Sequence, residues 1–474
     1  MTEVIARDGQ AARIANPLLS APILPTLLRL TLPNLAAMLV IAAVAIAETI
    51  YVGILGTVEL AAIALVFPMV MLMQMLSAGA MGGGVSSAVS RALGAGDEAR
   101  AAALALHALV IGAALGLVFS LLFLAFGEMI FRSLGGRGPV LEQARVYAGV
   151  ALTGAIAIWL LNTLASIVRG TGNMRVPSLV LLVASALQIA VGGGLGLGVG
   201  PIPRFGLVGV ASGLVIGSTL GAAALLWFLL SGRARIALRF RGIALKREMF
   251  LDILRVGALA SFSPLQTVLT VLILTRLVAG FGTEALAGYG IGARLEFLLV
   301  PIAFAVGVAC VPMVGMAMGA GDVARARRAA WTGAAVAACA LGLIGLVVVI
   351  VPGAWSGLFT SDPAVLSTAN LYLRLAGPAF AFVGLGLVLY FSSQGAGKVL
   401  GPVLAATVRL VLIAVGGWLL AMTAAPVWSL FALVALSMIA YGLATATAVG
   451  LTSWQPRGER GAHHRPAPVS RRGL

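Results

Sequence analysis

Two carboxylates and a few amides stand inside otherwise apolar sequence, and these are the groups that could do chemistry. Glu48 lies within the apolar run 30–55, in the stretch Ile46-Ala47-Glu48-Thr49-Ile50-Tyr51-Val52-Gly53. A carboxylate is costly in such surroundings, so a functional task is the default expectation for it. The chemistry it offers is reversible uptake of a cation. Asn34, Ile41 and Glu48 recur every seven residues and therefore point one way on a helix. Asn34 and Glu48 make that face polar, and such a face is expected to turn toward protein rather than lipid. Glu296 is the second intramembrane acid, sharing a helical face with Tyr289 and Gly292. Arg294 is two positions away, about 200° round the helix, so it is not the direct partner of Glu296. Two readings of Glu296 stay open: a cavity wall that attracts cations, or half of an ion pair with an arginine of another helix such as Arg409.

The identity of the cation follows from the available ligands. A bare sodium ion wants several oxygens, and near Glu48 the sequence nominates Gln188 and Asn34 as neutral ones. A proton needs one carboxylate, so proton is favoured over sodium. Tyr289, Asn162, Gln74 and Gln394 are the polar candidates for a substrate cavity, with Trp159 and Tyr390 beside them. Met69, Met71, Met73 and Met75 suit either loose apolar binding or gap filling. Other chemistries find no support. The two cysteines, Cys310 and Cys339, sit in apolar runs and form neither a disulfide framework nor a zinc spacing. His107 stands alone in a span, and the pair His463 and His464 belongs to a basic tail. No Ser/His, paired-Asp or metal-ligand cluster falls within a span, so neither an enzyme nor a bound cofactor is expected.

These residues need helices to position them. Of 474 residues, 61% are hydrophobic and 10% charged, against about 25% charged in a soluble domain. Twelve apolar helices are expected at 27–54, 60–88, 101–126, 144–168, 177–200, 206–231, 252–279, 285–317, 328–351, 370–393, 400–422 and 427–453. Lipid offers the backbone no partners, so runs of this length are helices. The net charge of +16 collects in loops, which argues for a membrane surface and against nucleic acid. Segments on the N-terminal side of the membrane hold 23 of the 31 Lys and Arg residues, and the opposite segments hold five. That bias places both termini inside an inner (plasma) membrane. Residues 1–26 carry Arg7, Arg13 and three prolines and do not read as a cleavable signal. Prolines inside spans, Pro33 among them, can bend their helices, and a bend at Pro33 would move the Glu48 face.

The chain repeats itself. Gly94-Ala95-Gly96-Asp97 returns as Gly319-Ala320-Gly321-Asp322, and Pro177 as Pro402, both at an offset of 225. Asp97 and Asp322 are read as N-caps of the helices that follow. Six helices per half is an even number, so the repeat is parallel. The expected fold is an all-α membrane protein of two pseudo-symmetric six-helix bundles around a central cavity. The expected parts are an N-terminal segment 1–26, a lobe 27–231, a basic loop 232–251, a lobe 252–453 and a basic tail 454–474. At an offset of 226 Glu48 corresponds to Leu274, so the acid belongs to one half alone.

The repeated motifs also carry a resemblance. Glu48-Thr49-Ile50-Tyr51-Val52-Gly53-Ile54-Leu55-Gly56 resembles the first-helix end of the multidrug and toxic compound extrusion (MATE) family. Arg91-Ala92-Leu93-Gly94-Ala95-Gly96-Asp97, Arg169-Gly170-Thr171-Gly172 and Arg294-Leu295-Glu296 resemble its later segments. In the family's pattern the first-helix acid is usually Asp, where this chain has Glu48. A fifth-helix Asn-x-x-x-Asp is replaced by Gln188 and Gly192. The apolar parts of the seventh and tenth spans lack the acids some relatives carry. The resemblance implies a cation-driven antiporter that exports organic cations or amphipathic drugs by alternating access, as a monomer in the lipid bilayer. Alternatives on the same scaffold are a sodium-coupled exporter and a flippase for a lipid-linked precursor or peptide.

Overall fold

The computed structural model describes residues 17–238, 244–423 and 425–455. Arg7, Arg13, Arg239, Arg241, His463, His464 and the tail arginines from Arg457 onward lie outside the described residues. Eleven described helices are long and apolar enough to cross a membrane. A bent pair meeting at 44° makes a twelfth span. We number them α1 (Ile23–Leu55), α2 (Thr57–Gly94), α3 (Glu98–Ser133), α4 (Gly138–Thr153 with Ala155–Gly170), α5 (Arg175–Leu197) and α6 (Leu207–Leu230). The second half follows as α7 (Arg247–Ala279), α8 (Thr283–Gly319), α9 (Val323–Ile350), α10 (Pro363–Gly395), α11 (Leu400–Met422) and α12 (Val427–Leu451). The expected twelve-helix fold is the one observed. Several helices outrun the expected spans. α8 has 37 residues, about 55 Å against a hydrocarbon layer of about 30 Å, so its ends stand outside that layer.

Local sequence explains the breaks. The fourth span was expected as one helix, but it bends at Gly154, where a Cβ would run into the Val215 side chain. Its repeat partner α10 breaks at the matching place, in a 3₁₀ turn at Gly377–Ala379 that contains Pro378. α2 carries a π-helical turn at Met75–Met81 directly after Gln74. α1 runs unbroken through Pro33. The expected caps are present: the Asp97 carboxylate accepts from the Arg100 amide at 2.8 Å, and Asp322 from the Arg325 amide at 2.9 Å.

Odd-numbered helices begin on the side that bears the arginine-rich loops, here called the basic face. There the two halves lock together. α2 and α8 are repeat partners, and they cross at the repeated glycines. A Cβ on Gly94 would collide with the Met316 carbonyl, and one on Gly319 with the Arg91 carbonyl. The Ser87 hydroxyl donates across the same seam to the Gln394 carbonyl, and to that of Gly395 at 3.2 Å. Asp252 of α7 receives two arginines from the other half, Arg91 at 2.8 Å and Arg100 at 3.0 Å. Buried apolar side chains follow the same division. One core runs through the first half and on into Val306–Met316 and Val388–Val399, at the basic face. Another, built on Leu274, Tyr372 and Phe431, stays within the second half.

His107 of α3 is buried and spoken for. Its Nδ1 bonds the Ala103 carbonyl at 2.7 Å, and its Nε2 accepts from the Lys246 amide at 2.8 Å. The ring therefore ties the inter-half loop to α3. The glycine crossing generates a test. Gly319→Leu should cost roughly 1–3 kcal/mol, because the seam has no room for a side chain. Thermal unfolding in detergent should move downward, and a melting temperature equal to wild type would contradict the packing.

Candidate functional site

Glu48 sits seven residues before the end of α1, about 10 Å in from the face opposite the basic one. Its Oε1 accepts a hydrogen bond of 2.9 Å from the Tyr147 hydroxyl on the outer half of α4. Tyr147 is buried, so this bond is made away from bulk water. One turn along α1, Tyr51 fills the space that α5 leaves open at Gly192 and Gly193. A Cβ on Gly192 would lie 3.3 Å from the Tyr51 hydroxyl, and one on Gly193 would lie 3.6 Å from its ring. The buried Tyr51 hydroxyl has no hydrogen-bond partner among the described residues. Glu48 is thus one carboxylate with one tyrosine donor bound and a second hydroxyl one turn away.

Of the two neutral oxygens expected beside it, Asn34 stands elsewhere. Asn34 is fourteen residues away, about 21 Å along the helix. It is buried against the start of α5, accepting from Ser178 at 3.2 Å with its amide nitrogen 3.3 Å from the Met174 sulfur. The expected common face also drifts. A helix loses about 20° per heptad against a strict seven-residue repeat, and the intervening Ile41 is 41% exposed. Gln188 makes no hydrogen bond to Glu48 among the described residues. It lies one turn from Gly192 on the face of α5 that receives Tyr51.

The second half holds a counterpart. Tyr372 of α10 donates to Glu296 Oε1 on α8. Tyr289 meets the Tyr372 ring edge-on at 5.4 Å, and Phe431 meets it at 5.1 Å. Tyr372 is Tyr147 shifted by 225, the offset of the repeat. The tyrosines are therefore repeat partners, while their carboxylates come from non-equivalent helices, α1 and α8. Arg409 of α11 lies within electrostatic reach of Glu296, Tyr289 and Tyr372. It forms no ion pair within 4 Å among the described residues, and its buried Nε has no hydrogen-bond partner there. Arg294 turns away and lies over the Phe359 ring at 5.4 Å.

Two other predicted residues are brought together. Asn162 of α4 donates to the Gln74 side-chain oxygen at 2.9 Å and to the Ser77 hydroxyl at 2.8 Å. Both acceptors flank the start of the π-helical turn of α2, a distortion often found where a helix works. Gln394 is fully buried at the inter-half seam, where a Cβ on Gly83 would meet its amide. Tyr390 donates to the Ala260 carbonyl at 3.0 Å. Sequence reading missed Tyr147 and Tyr372 as functional residues. The signal that could have found them is the repeat itself, since a tyrosine recurs at the same offset as the glycine motifs.

A duplicated bundle of membrane-spanning helices with a tyrosine-bound carboxylate inside each half has the build of a membrane transporter. Its solved neighbours share the fold. A MOP superfamily transporter from Pyrococcus furiosus is 24% identical with a TM-score of 0.83, covering 91% of this chain and 96% of its own. MATE in the bent conformation is 25% identical with a TM-score of 0.82, over 91% and 97%. The MatE family model matches residues 33–192 and 260–419, once in each half. The chain belongs to this family of multidrug efflux transporters. Among relatives, the FAD transporter of Shewanella oneidensis is 28% identical over 79% of this chain and 82% of its own length. The multidrug export protein MepA of Staphylococcus aureus is 24% identical over 86% and 90%.

The separation of Tyr147 from Asn34 can be tested directly. A hydrogen bond to a charged group is worth about 1.5–3 kcal/mol, so Tyr147→Phe should slow efflux roughly ten- to a hundredfold. Asn34→Leu should lower the melting temperature and leave the initial rate within about twofold. Initial rates of dye efflux from inverted vesicles check both, and equal rate losses would contradict the assignment.

Proposed function

We propose that this protein is a secondary active antiporter that exports organic cations or amphipathic drugs in exchange for protons. The observation that carries this reading is the Tyr147–Glu48 bond at 2.9 Å, a single carboxylate held within one half. A proton needs no more than that. A sodium ion would ask for further oxygens; Asn34 stands about 21 Å away along α1, and Gln188 makes no hydrogen bond to Glu48 among the described residues. Tyr51, with its unspent hydroxyl, offers the carboxylate a second partner in another state. Such a group binds a proton with different affinity when it faces water and when it is shielded. That difference is what lets a proton gradient bias two conformations.

The lobes 27–231 and 252–453 supply the moving bodies, rocking about the seam at the basic face. We place that face in the cytoplasm and the protein in the inner membrane, because 23 Lys and Arg residues gather on that side. Both lobes come from one chain, so a monomer contains the whole pathway. Tyr289, Asn162, Gln74 and Gln394 remain the candidate substrate contacts, with Glu296 as the charge that draws cations. A second reading takes an anionic aromatic cargo. It is favoured by the unpartnered Arg409 Nε near the rings of Tyr289 and Tyr372, and by the name of the Shewanella relative.

Glu48→Gln should abolish drug resistance in expressing cells at unchanged membrane protein levels. In proteoliposomes an imposed pH gradient should drive wild-type efflux and a sodium gradient should not. Wild-type turnover by Glu48→Gln would end the coupling proposal. A dye panel containing cations and flavins would separate the two cargo readings.

A further inference from the structure

A cavity of about 410 Å³ opens at the basic face of the first half, away from Glu48 and Glu296. Its walls are the start of α1, the α4–α5 turn and the segment after α6. The inner wall is apolar, formed by Leu18, Leu30, Met174 and Phe228, while Arg29, Arg175, Arg233 and Arg235 stand round it. Arg235 reaches Glu98 at 3.8 Å. Arg29, Arg175 and Arg233 have no carboxylate within 4 Å among the described residues. Four arginines thus border one concave site, and one of them is paired with an acid.

Arg29 has a repeat counterpart in Arg255 at the offset of 226, whereas Arg175 has none. Position 175 corresponds to position 400 at the offset of 225, and residue 400 is Leu. Pro177 and Pro402, two residues on, keep the same register. The second half therefore builds the same turn without that arginine. A charge present in one lobe alone is not needed to fold the other.

Depth and surroundings identify the ligand chemistry. Arg233 lies over the Trp227 ring at 5.1 Å, and that tryptophan is 59% exposed. Exposed tryptophan paired with arginine marks the level of lipid headgroups. Deeper along α1 than Arg29, toward the hydrocarbon, Leu32 and Leu39 present open apolar surface. Guanidinium forks match phosphate oxygens in geometry and charge. A basic hollow at this depth has the form of an anionic headgroup site. We infer that the cavity walled by Arg29, Arg175 and Arg233 binds a phosphate group, supplied by an anionic phospholipid whose chains lie along α1. Because α1 also carries Glu48, the occupied site anchors the foot of the helix that holds the coupling carboxylate.

The test uses the full-length protein, stripped of lipid in detergent. Phosphatidylglycerol, phosphatidylcholine or inorganic phosphate is added, and binding is read by native mass spectrometry and thermal unfolding. Wild type should retain phosphatidylglycerol, and its melting temperature should rise with that lipid and not with phosphatidylcholine. The triple variant Arg29→Gln, Arg175→Gln, Arg233→Gln should bind phosphatidylglycerol roughly a hundredfold more weakly. The single variants Arg29→Gln and Arg175→Gln should each lose several-fold, which keeps the test usable if the triple variant does not fold. The control Arg247→Gln, Arg255→Gln removes charge from the same face outside the cavity and should bind as wild type does. An equal response to inorganic phosphate, lost in the variants, would support the phosphate site with a soluble anion as its source. Equal binding by wild type and the triple variant, or an equal loss in the control, would overturn the inference.

Discussion

A carboxylate set among hydrocarbon-facing helices has to find a donor, and much of this architecture follows from how that demand is met. Centring an acid in a membrane helix costs a few kcal/mol on insertion scales. A hydrogen bond to a charged group recovers about 1.5–3 kcal/mol of it. Glu48 takes its bond from Tyr147, and to do so α1 and the outer half of α4 must keep one relative depth and rotation. The bend at Gly154 separates that outer half from the part of α4 that carries Asn162. The bare backbone of Gly192 and Gly193 brings α5 up to Tyr51 on the same turn of α1. Three elements, α1, the outer half of α4 and α5, are thereby indexed to one acid.

Duplication made the frame and then departed from it. Matched motifs place the same helix crossing, the same Asp caps and the same interrupted fourth helix in each half. Tyr147 and Tyr372 occupy matching positions and both donate to a glutamate. The glutamates do not match: one rises from α1, the other from α8. The donor belongs to the shared scaffold, and the acid was placed separately in each half. Tyrosines stand at both acids, but Arg409 lies near the second, and no arginine is paired with the first among the described residues. The halves are alike in how they pack and unlike in the charge they hold.

Contacts between the halves are concentrated at the basic face. Gly94 and Gly319 let two backbones approach within reach of carbonyl contact, while Asp252 gathers Arg91 and Arg100 from the other side of the seam. These ion pairs are partly exposed, so each contributes modestly and is screened by salt. The dense glycine packing is the firmer joint. The packing that joins the halves is densest at this one end of the bundle. Such a joint can open without unfolding either bundle.

Much of this was readable along the chain. Hydrocarbon leaves a long apolar run one option, so twelve spans and their ends within several residues followed from composition. The Asp97 and Asp322 caps were legible because a cap depends on its own turn. Glu48 and Glu296 stood out because charge is rare in such surroundings. Tertiary structure alone decided the partners. Tyr147 is 99 residues from Glu48, and helices apolar on every side carry little signal of which face turns inward. Asn34, fourteen residues and about 21 Å along the helix from Glu48, bonds the foot of α5, a partner that packing alone assigns. Residue type revealed where ionisable groups had to be satisfied; rotation and depth, which only packing sets, determined by whom.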